Sequence, residues 1–170
     1  MVSFVQIMDT QLFFIFLFIA IVAPLIDGQT VLPSTYYPDK LVNLKQWYAQ
    51  DFGDYLVVEK PHFFVGLVWY ELIFLWPLSL LNLFAILTSK PWLNNTCLIY
   101  GASTLSSMAA ILAELVFSGR GNDRLLKMYA PFAFFGAVAL IRGLIPGCGK
   151  NGGAASVIGK RPTLGRKKRV

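Results

Sequence analysis

Histidine, cysteine and charged residues are scarce in this 170-residue chain, and each shortage removes a class of function. The cysteines are Cys97 and Cys148, which are too few for a disulfide framework and fit no zinc-binding spacing. The sequence also shows no nucleophile–base set and no phosphate-binding loop, so we predict no cofactor and no metal site. The single histidine, His62, falls at the start of an apolar run. An interfacial side chain is a simpler interpretation of it than a catalytic base.

Charged residues make up 14% of the chain and hydrophobic residues 56%. Soluble domains have about 25% and about 45–50% respectively, so the composition predicts a membrane protein. Seven lysines and arginines and no acid follow Gly147, which leaves about −1 for the rest of the chain from the net charge of +6. This tail contains no aromatic residue that could stack on bases. We therefore predict a disordered basic cytoplasmic tail (147–170) and no nucleic-acid partner.

Four apolar stretches, at residues 12–26, 62–87, 97–117 and 128–146, predict an all-α membrane protein with a four-transmembrane-helix bundle in the lipid bilayer. The predicted membrane domain is 1–146, with spans at about 10–31, 62–87, 97–117 and 128–146. The first stretch covers only about 22 Å at 1.5 Å per residue. It must therefore include either Asp27, Gly28 and Gln29 or the polar residues 9–11. A cleaved signal peptide is the alternative, but no basic residue precedes the stretch and no A-x-A site follows it.

The basic tail predicts that both termini are cytoplasmic. The 89–95 turn is then cytoplasmic, so we expect the sequon at Asn94 to remain unglycosylated. The 28–61 segment and the 118–124 turn are expected to face the lumen. Near the C-terminus, Lys167 and Lys168 resemble a dilysine signal for retrieval to the endoplasmic reticulum, although a basic cluster that only sets the topology is the alternative.

The long lumenal segment carries apolar residues at helical spacing, namely Leu41, Leu44, Trp47, Tyr48 and Phe52. This spacing predicts an amphipathic helix. Loops of this length are usually structured or functional. We interpret the segment as a lid across the lumenal mouth of the bundle.

Glu71 is the most informative residue, because it lies about 13 Å into the second span by helical rise. Ionisable groups at such depth are costly and mark functional sites. If the first helix carries Asp27 inward, the two acids lie at a similar depth and share one proton, which we expect Glu71 to keep. The pair would suit a cationic amine with a hydrophobic body. A neutral Glu71 that only bonds a neighbouring helix is the alternative.

Other polar residues are open to two interpretations. Asp54 either orients the lid or is an ordinary loop acid. On the third span, Tyr100, Thr104 and Ser107 form one stripe that faces either a cavity or a neighbouring helix. Glu114 is expected to reach water, and Arg142 to snorkel at the cytoplasmic end.

Four motifs, "APLIDGQTVLPSTYYP", "NLKQWYAQDFGDYL", "WYELIFLWP" and "MYAPF", resemble the EXPERA family of endoplasmic reticulum membrane proteins. The resemblance covers roughly residues 27–142. It implies a ligand cavity inside the bundle, open sideways to the bilayer. In this resemblance Asp27 pairs with a ligand amine, Glu71 is a buried protonated acid and Asp54 is a supporting acid. The matching wall residues are Trp47, Tyr100, Ser107 and Tyr129.

The resemblance also implies function. It favours a non-catalytic protein that binds sterols, oxysterols and cationic amphiphiles and acts in sterol homeostasis. Partners implied are a Niemann–Pick type C-like cholesterol transporter and a second copy of the chain. The alternative is a sterol Δ8-Δ7 isomerase like emopamil-binding protein, with Asp27 and Glu71 transferring protons, but the histidine and fuller acid set of that enzyme are missing. A scaffold or chaperone with a regulatory pocket is compatible with the first hypothesis.

Overall fold

The structure is a computed structural model, and it describes residues 4–145. The predicted tail, with Cys148, Lys167 and Lys168, lies outside the described residues. Within the described range the chain forms helices and no strand. In chain order they are α1 (Phe4–Leu25), 3₁₀ turns at Asp27–Thr30 and Ser34–Tyr36, α2 (Asp39–Phe52), α3 (Tyr55–Glu59), α4 (His62–Tyr70), a π-helical turn at Glu71–Leu75, α5 (Trp76–Leu87), α6 (Leu93–Phe117) and α7 (Asp123–Leu144).

Four segments are long and apolar enough to cross a membrane, which confirms the predicted all-α, four-span fold. They are Phe4–Thr30, His62–Leu87, Leu93–Phe117 and Asp123–Leu144. The first helix begins before the apolar stretch and includes Asp9. It can do so because Asp9 forms an ion pair with Arg142 of α7, so its carboxylate does not require water.

The four spans form a ring. Helix α1 contacts α5 and α7, and α6 contacts the same two helices from the opposite side. Two clusters of buried apolar side chains pack within this ring. One is centred on Phe16 and Leu78, and the other on Leu56, Phe64 and Leu125 near α3.

Helices α6 and α7 approach most closely at two glycines. A Cβ atom added to Gly101 would lie 2.3 Å from the backbone nitrogen of Leu140, and one added to Gly143 would lie 2.5 Å from that of Leu98. Close backbone contact through small residues is typical of membrane helix pairs. These glycines therefore bring the wall residues of α6 and α7 together.

Capping residues fix α2 and α3 against one end of the bundle. Helix α2 ends at Gly53, whose φ of 64° is left-handed and favours glycine. Asn122 caps α7 by accepting a hydrogen bond from Leu125 N at 2.7 Å. The same side chain donates to the Phe52 carbonyl oxygen at 2.8 Å, which ties the end of α2 to the start of α7.

Candidate functional site

A cavity of about 350 Å³ lies inside the bundle. This volume is within the range of roughly 300–1,000 Å³ that is usual for small-molecule sites. Its wall is contributed by α1, α2, α3, α4, α6, α7 and the turns next to them, and it touches both apolar clusters. Most of the wall is apolar, and the polar side chains in it are Asp27, Lys45, Tyr48, Glu71, Tyr100, Thr104, Ser107 and Tyr129.

Asp27 reaches the cavity because α1 ends two residues before it. Pro24 lacks an N–H group, so it cannot bond the carbonyl oxygen of Ala20, and the indole of Trp76 donates to that oxygen instead at 3.0 Å. The Tyr37 hydroxyl donates to the Pro24 carbonyl oxygen at 3.1 Å. The chain then tightens into the 3₁₀ turn that begins with Asp27.

Glu71 opens the π-helical turn between α4 and α5. In this turn the Trp76 N–H donates to the Glu71 carbonyl oxygen, five residues back. Pro77 follows and has no N–H to donate to Ile73, which favours the wider turn. Such turns occur often at functional sites. Here the turn sets Glu71 in the cavity wall, in the middle of the second span.

The two carboxyls face the same cavity and interact electrostatically. Among residues 4–145, no side chain or backbone group donates a hydrogen bond to either of them. Buried polar groups are normally hydrogen-bonded. The cavity therefore presents two acids with free bonding capacity inside an apolar wall.

Asp54 is fully buried but is not in the cavity wall. It caps α3, accepting from Leu56 N at 3.1 Å and Val57 N at 3.3 Å. Its other carboxylate oxygen accepts from the hydroxyls of Tyr129 at 2.9 Å and Tyr48 at 3.4 Å. Asp54 thus positions two wall tyrosines from behind.

The remaining predicted wall residues, Trp47, Tyr100, Ser107 and Tyr129, all line the cavity. Tyr100 and Ser107 are buried in α6, and the Tyr100 ring packs edge-on against Phe16, with 4.9 Å between the ring centroids. Trp47 is 57% exposed and so lies at the rim. The polar stripe of α6 therefore faces the cavity.

A shallow groove runs between α4 and α6 on the outer side of the bundle. Leu67 and Ser107 border both the groove and the cavity. Across the groove the Tyr70 hydroxyl donates to Ser103 Oγ at 2.9 Å. The cavity wall and an outer face of the bundle therefore share residues at this groove.

The comparisons with known proteins agree with this architecture. The sequence model of the EXPERA domain (EXPanded EBP superfamily) matches residues 40–143. The chain belongs to the EXPERA family. The matched range includes Glu71 and the predicted wall residues, whereas Asp27 precedes it.

Three similar curated proteins share one name. Sigma intracellular receptor 2 of Macaca fascicularis and that of Homo sapiens are each 31% identical over 131 residues, which cover 68% of this chain and 74% of the relative. Sigma intracellular receptor 2 of Xenopus tropicalis is 27% identical over 144 residues, covering 76% of this chain and 84% of the relative. The family predicted from the four motifs is confirmed.

Lys45 is a cavity residue that the sequence analysis missed. It belongs to α2, is 9% exposed and lines the cavity beside Asp27. Its ammonium group donates to Thr30 Oγ1 at 2.6 Å and to the Ile26 carbonyl oxygen at 3.2 Å. Burial lowers the pKa of Lys45 to about 8, although the charge of Asp27 opposes this change.

A signal for Lys45 was present in the sequence. Lys45 follows Leu41 by four residues and precedes Tyr48 by three, so it lies on the apolar stripe of α2. A lysine on such a stripe is expected to meet a negative partner.

The pKa of Tyr48 is raised, by burial first and then by the charge of Asp54.

One polar residue away from the cavity differs from expectation. Arg142 does not snorkel but is 6% exposed. It forms an ion pair with Asp9 and donates to Asn94 Oδ1 at 2.7 Å. Glu114 accepts from the Tyr55 hydroxyl at 3.2 Å. Neighbouring helices therefore supply Arg142 with the partners that water would have provided, whereas Glu114 is only half-buried.

His62 is exposed at the first residue of α4, as expected. No group of three or more metal-ligating side chains occurs among the residues that the structure describes. The part of the chain that includes Cys148 and the two terminal lysines is outside that range.

Proposed function

We propose that this protein is a non-catalytic membrane receptor that binds sterols, oxysterols and cationic amphiphiles in the cavity inside its bundle. The observation that carries the proposal is the pair of acids, Asp27 and Glu71, without hydrogen-bond donors in an apolar cavity of about 350 Å³. Membership of the EXPERA family and similarity to proteins named sigma intracellular receptor 2 support it.

The binding mode follows from the chemistry of the wall. Two carboxyls in one apolar cavity do not both ionise easily, so they hold one negative charge and one proton between them. We assign the charge to Asp27 and the proton to Glu71. A ligand amine or hydroxyl bonds Asp27, and the apolar body of the ligand packs on side chains of α1 and α4.

The cellular setting of the proposal is the endoplasmic reticulum membrane, with both termini in the cytoplasm and α2 and α3 on the lumenal side as a lid. Ligands enter from the bilayer at the groove between α4 and α6. The protein acts in sterol homeostasis or trafficking, with a Niemann–Pick type C-like transporter or a second copy of the chain as partner.

Binding of a labelled cationic amphiphile to the detergent-solubilised full chain tests the proposal. Asp27→Asn should weaken binding at least about tenfold, because removing one partner of a buried charge pair costs about 2–5 kcal/mol. Glu71→Gln should weaken it less, since an amide replaces a neutral acid. Asp51→Asn removes an exposed acid from α2 and is the matched control. Undiminished binding in both cavity variants would overturn the acid-pair mechanism.

The presence of both acids in one cavity also keeps an enzyme as the second candidate. Proton transfer by two carboxyls would isomerise a sterol double bond. Expression in yeast that lacks its own sterol Δ8-Δ7 isomerase separates the two functions. We expect the Δ8-sterol to accumulate unchanged, and its conversion to the Δ7-sterol would favour the enzyme.

A further inference from the structure

The cavity contains a cation of its own. Lys45 lies in the wall, and its ammonium group is held by the Ile26 carbonyl oxygen and by Thr30 Oγ1, on either side of Asp27 in the chain. An ammonium group has three N–H donors, and these two bonds use two of them. The positive charge of Lys45 is therefore held near Asp27. Asp27 is the carboxyl that bonds a ligand amine in the mechanism proposed above.

The charges of the cavity wall decide which ligand it accepts. Among the described wall residues, the acids are Asp27 and Glu71 and the amine is Lys45. With Glu71 neutral, Lys45 cancels the charge of Asp27 and the empty cavity is neutral. An incoming cation then leaves one positive charge without a partner in a medium of low polarity, which is unfavourable.

We propose that Lys45 sets the ligand preference of this cavity: as an internal counterion of Asp27, it favours an uncharged hydroxylated lipid such as a sterol and weakens the binding of amines. This inference rests on the function proposed above. A ligand hydroxyl donates to Asp27 and accepts from the third N–H group of Lys45. A protonated amine has no lone pair that could accept from that N–H group, and the ammonium charge of Lys45 repels it.

The preference should depend on pH, because Lys45 loses its charge as the pH rises through about 8. The charged groups around it are Asp27 on the turn after α1, Asp54 before α3 and Lys60 after α3, with burial and Lys60 favouring the neutral form and the two acids the charged form. Above this pH Asp27 has no internal counterion. A permanently charged ligand should therefore bind more tightly at pH 9 than at pH 7, by at most about tenfold per pH unit for one proton released.

The experiment measures two probes on the detergent-solubilised full chain, a fluorescent quaternary ammonium amphiphile, which does not titrate, and a neutral fluorescent sterol. Lys45→Met should strengthen binding of the ammonium probe about tenfold or more and should not strengthen binding of the sterol. Lys40→Met removes an exposed lysine from the same helix and should change neither. The arginine in Lys45→Arg keeps its charge across this pH range. The affinity of this variant for the ammonium probe should therefore stay low from pH 7 to 9.

Each result either supports or overturns the proposal. Equal affinity of wild type and Lys45→Met for the ammonium probe would overturn it, as would equal pH profiles for wild type and Lys45→Arg. If Lys45→Met does not fold, the pH profiles of wild type and Lys45→Arg still test the proposal. The Asp27→Asn variant distinguishes a failure of the proposed Lys45 role from a failure of the proposed binding mode. A loss of binding in that variant with no gain in Lys45→Met rejects the role of Lys45 alone. Undiminished binding in Asp27→Asn rejects the binding mode on which it rests.

Discussion

Among single residues, Asp54 shows how a site residue can act without touching the cavity. Its two oxygens accept four hydrogen bonds, two from the backbone of α3 and two from wall tyrosines of α2 and α7. It is fully buried, so water cannot replace any of these bonds. We infer that Asp54 is a positioning residue for Tyr48 and Tyr129.

Replacing Asp54 should therefore affect stability first. Asp54→Ala removes a helix cap worth about 1 kcal/mol and leaves two half-buried tyrosine hydroxyls without their acceptor, at about 1–3 kcal/mol for each group left unsatisfied. We expect a loss of about 3 kcal/mol or more, measured as a lower thermal unfolding midpoint in detergent. Asp51→Ala, at an exposed position of α2, should change the midpoint little, and an equal effect of both substitutions would contradict this role.

At the scale of elements, α6 and α7 both line the cavity and pack closely against each other. The two glycines in this contact, Gly101 and Gly143, allow the backbones to touch. Helix α6 carries Tyr100 and Ser107, and α7 carries Tyr129. The wall residues of both helices keep their places only while this contact remains close.

Adding a methyl group at Gly101 tests the contact between α6 and α7. Gly101→Ala places a Cβ atom 2.3 Å from the Leu140 nitrogen, a backbone atom that can move only with α7, and should cost about 1–3 kcal/mol. Gly66→Ala is the matched control, since a Cβ there meets nothing within 4 Å, and alanine favours a helix by about 1 kcal/mol over glycine. Thermal unfolding in detergent should show opposite signs for the two variants. Equal midpoints would show that the contact is looser than described.

The π-helical turn is the second element that sets the site. Residue spacing was enough to predict that Glu71 lies inside the second span, but it did not predict the π-helical turn that Glu71 begins. Pro77, six residues further on, was a visible signal for an irregular turn. Pro77 predicts that the helix is irregular here, but it does not predict where the Glu71 side chain points. That direction depends on how the neighbouring helices pack.

For the whole molecule, the open question is orientation in the membrane. The basic tail predicts that the 89–95 turn shares the cytoplasmic side with the termini. The turn between α6 and α7 lies at the other end of α6 and should face the lumen. Asn94 would then be out of reach of glycosylation, and its side chain is already bonded to Ile145 O and Arg142.

Labelling of cysteines in sealed microsomes tests this topology. In a Cys148→Ser background, Asn95→Cys and Ser118→Cys each place one exposed thiol at opposite ends of α6, while Cys97 is buried. A membrane-impermeant reagent should label Asn95→Cys at once and Ser118→Cys only after detergent is added. The reverse order would place the termini in the lumen.

The sequence by itself determined the four spans, the helix over Asp39–Phe52 and the position of Glu71 within the second span. These follow from run length, periodicity and helical rise, which are local properties of the chain. It also indicated the family, because ordered motifs carry that information directly.

Only the tertiary structure decided which polar groups meet. That Asp54 turns away from the cavity, that Arg142 pairs with Asp9 across 133 residues of chain, and that Lys45 lies beside Asp27 all depend on how separate helices dock. Periodicity places a side chain on a face of its own helix. Its partner comes from another helix, and packing of the whole bundle fixes where that helix lies.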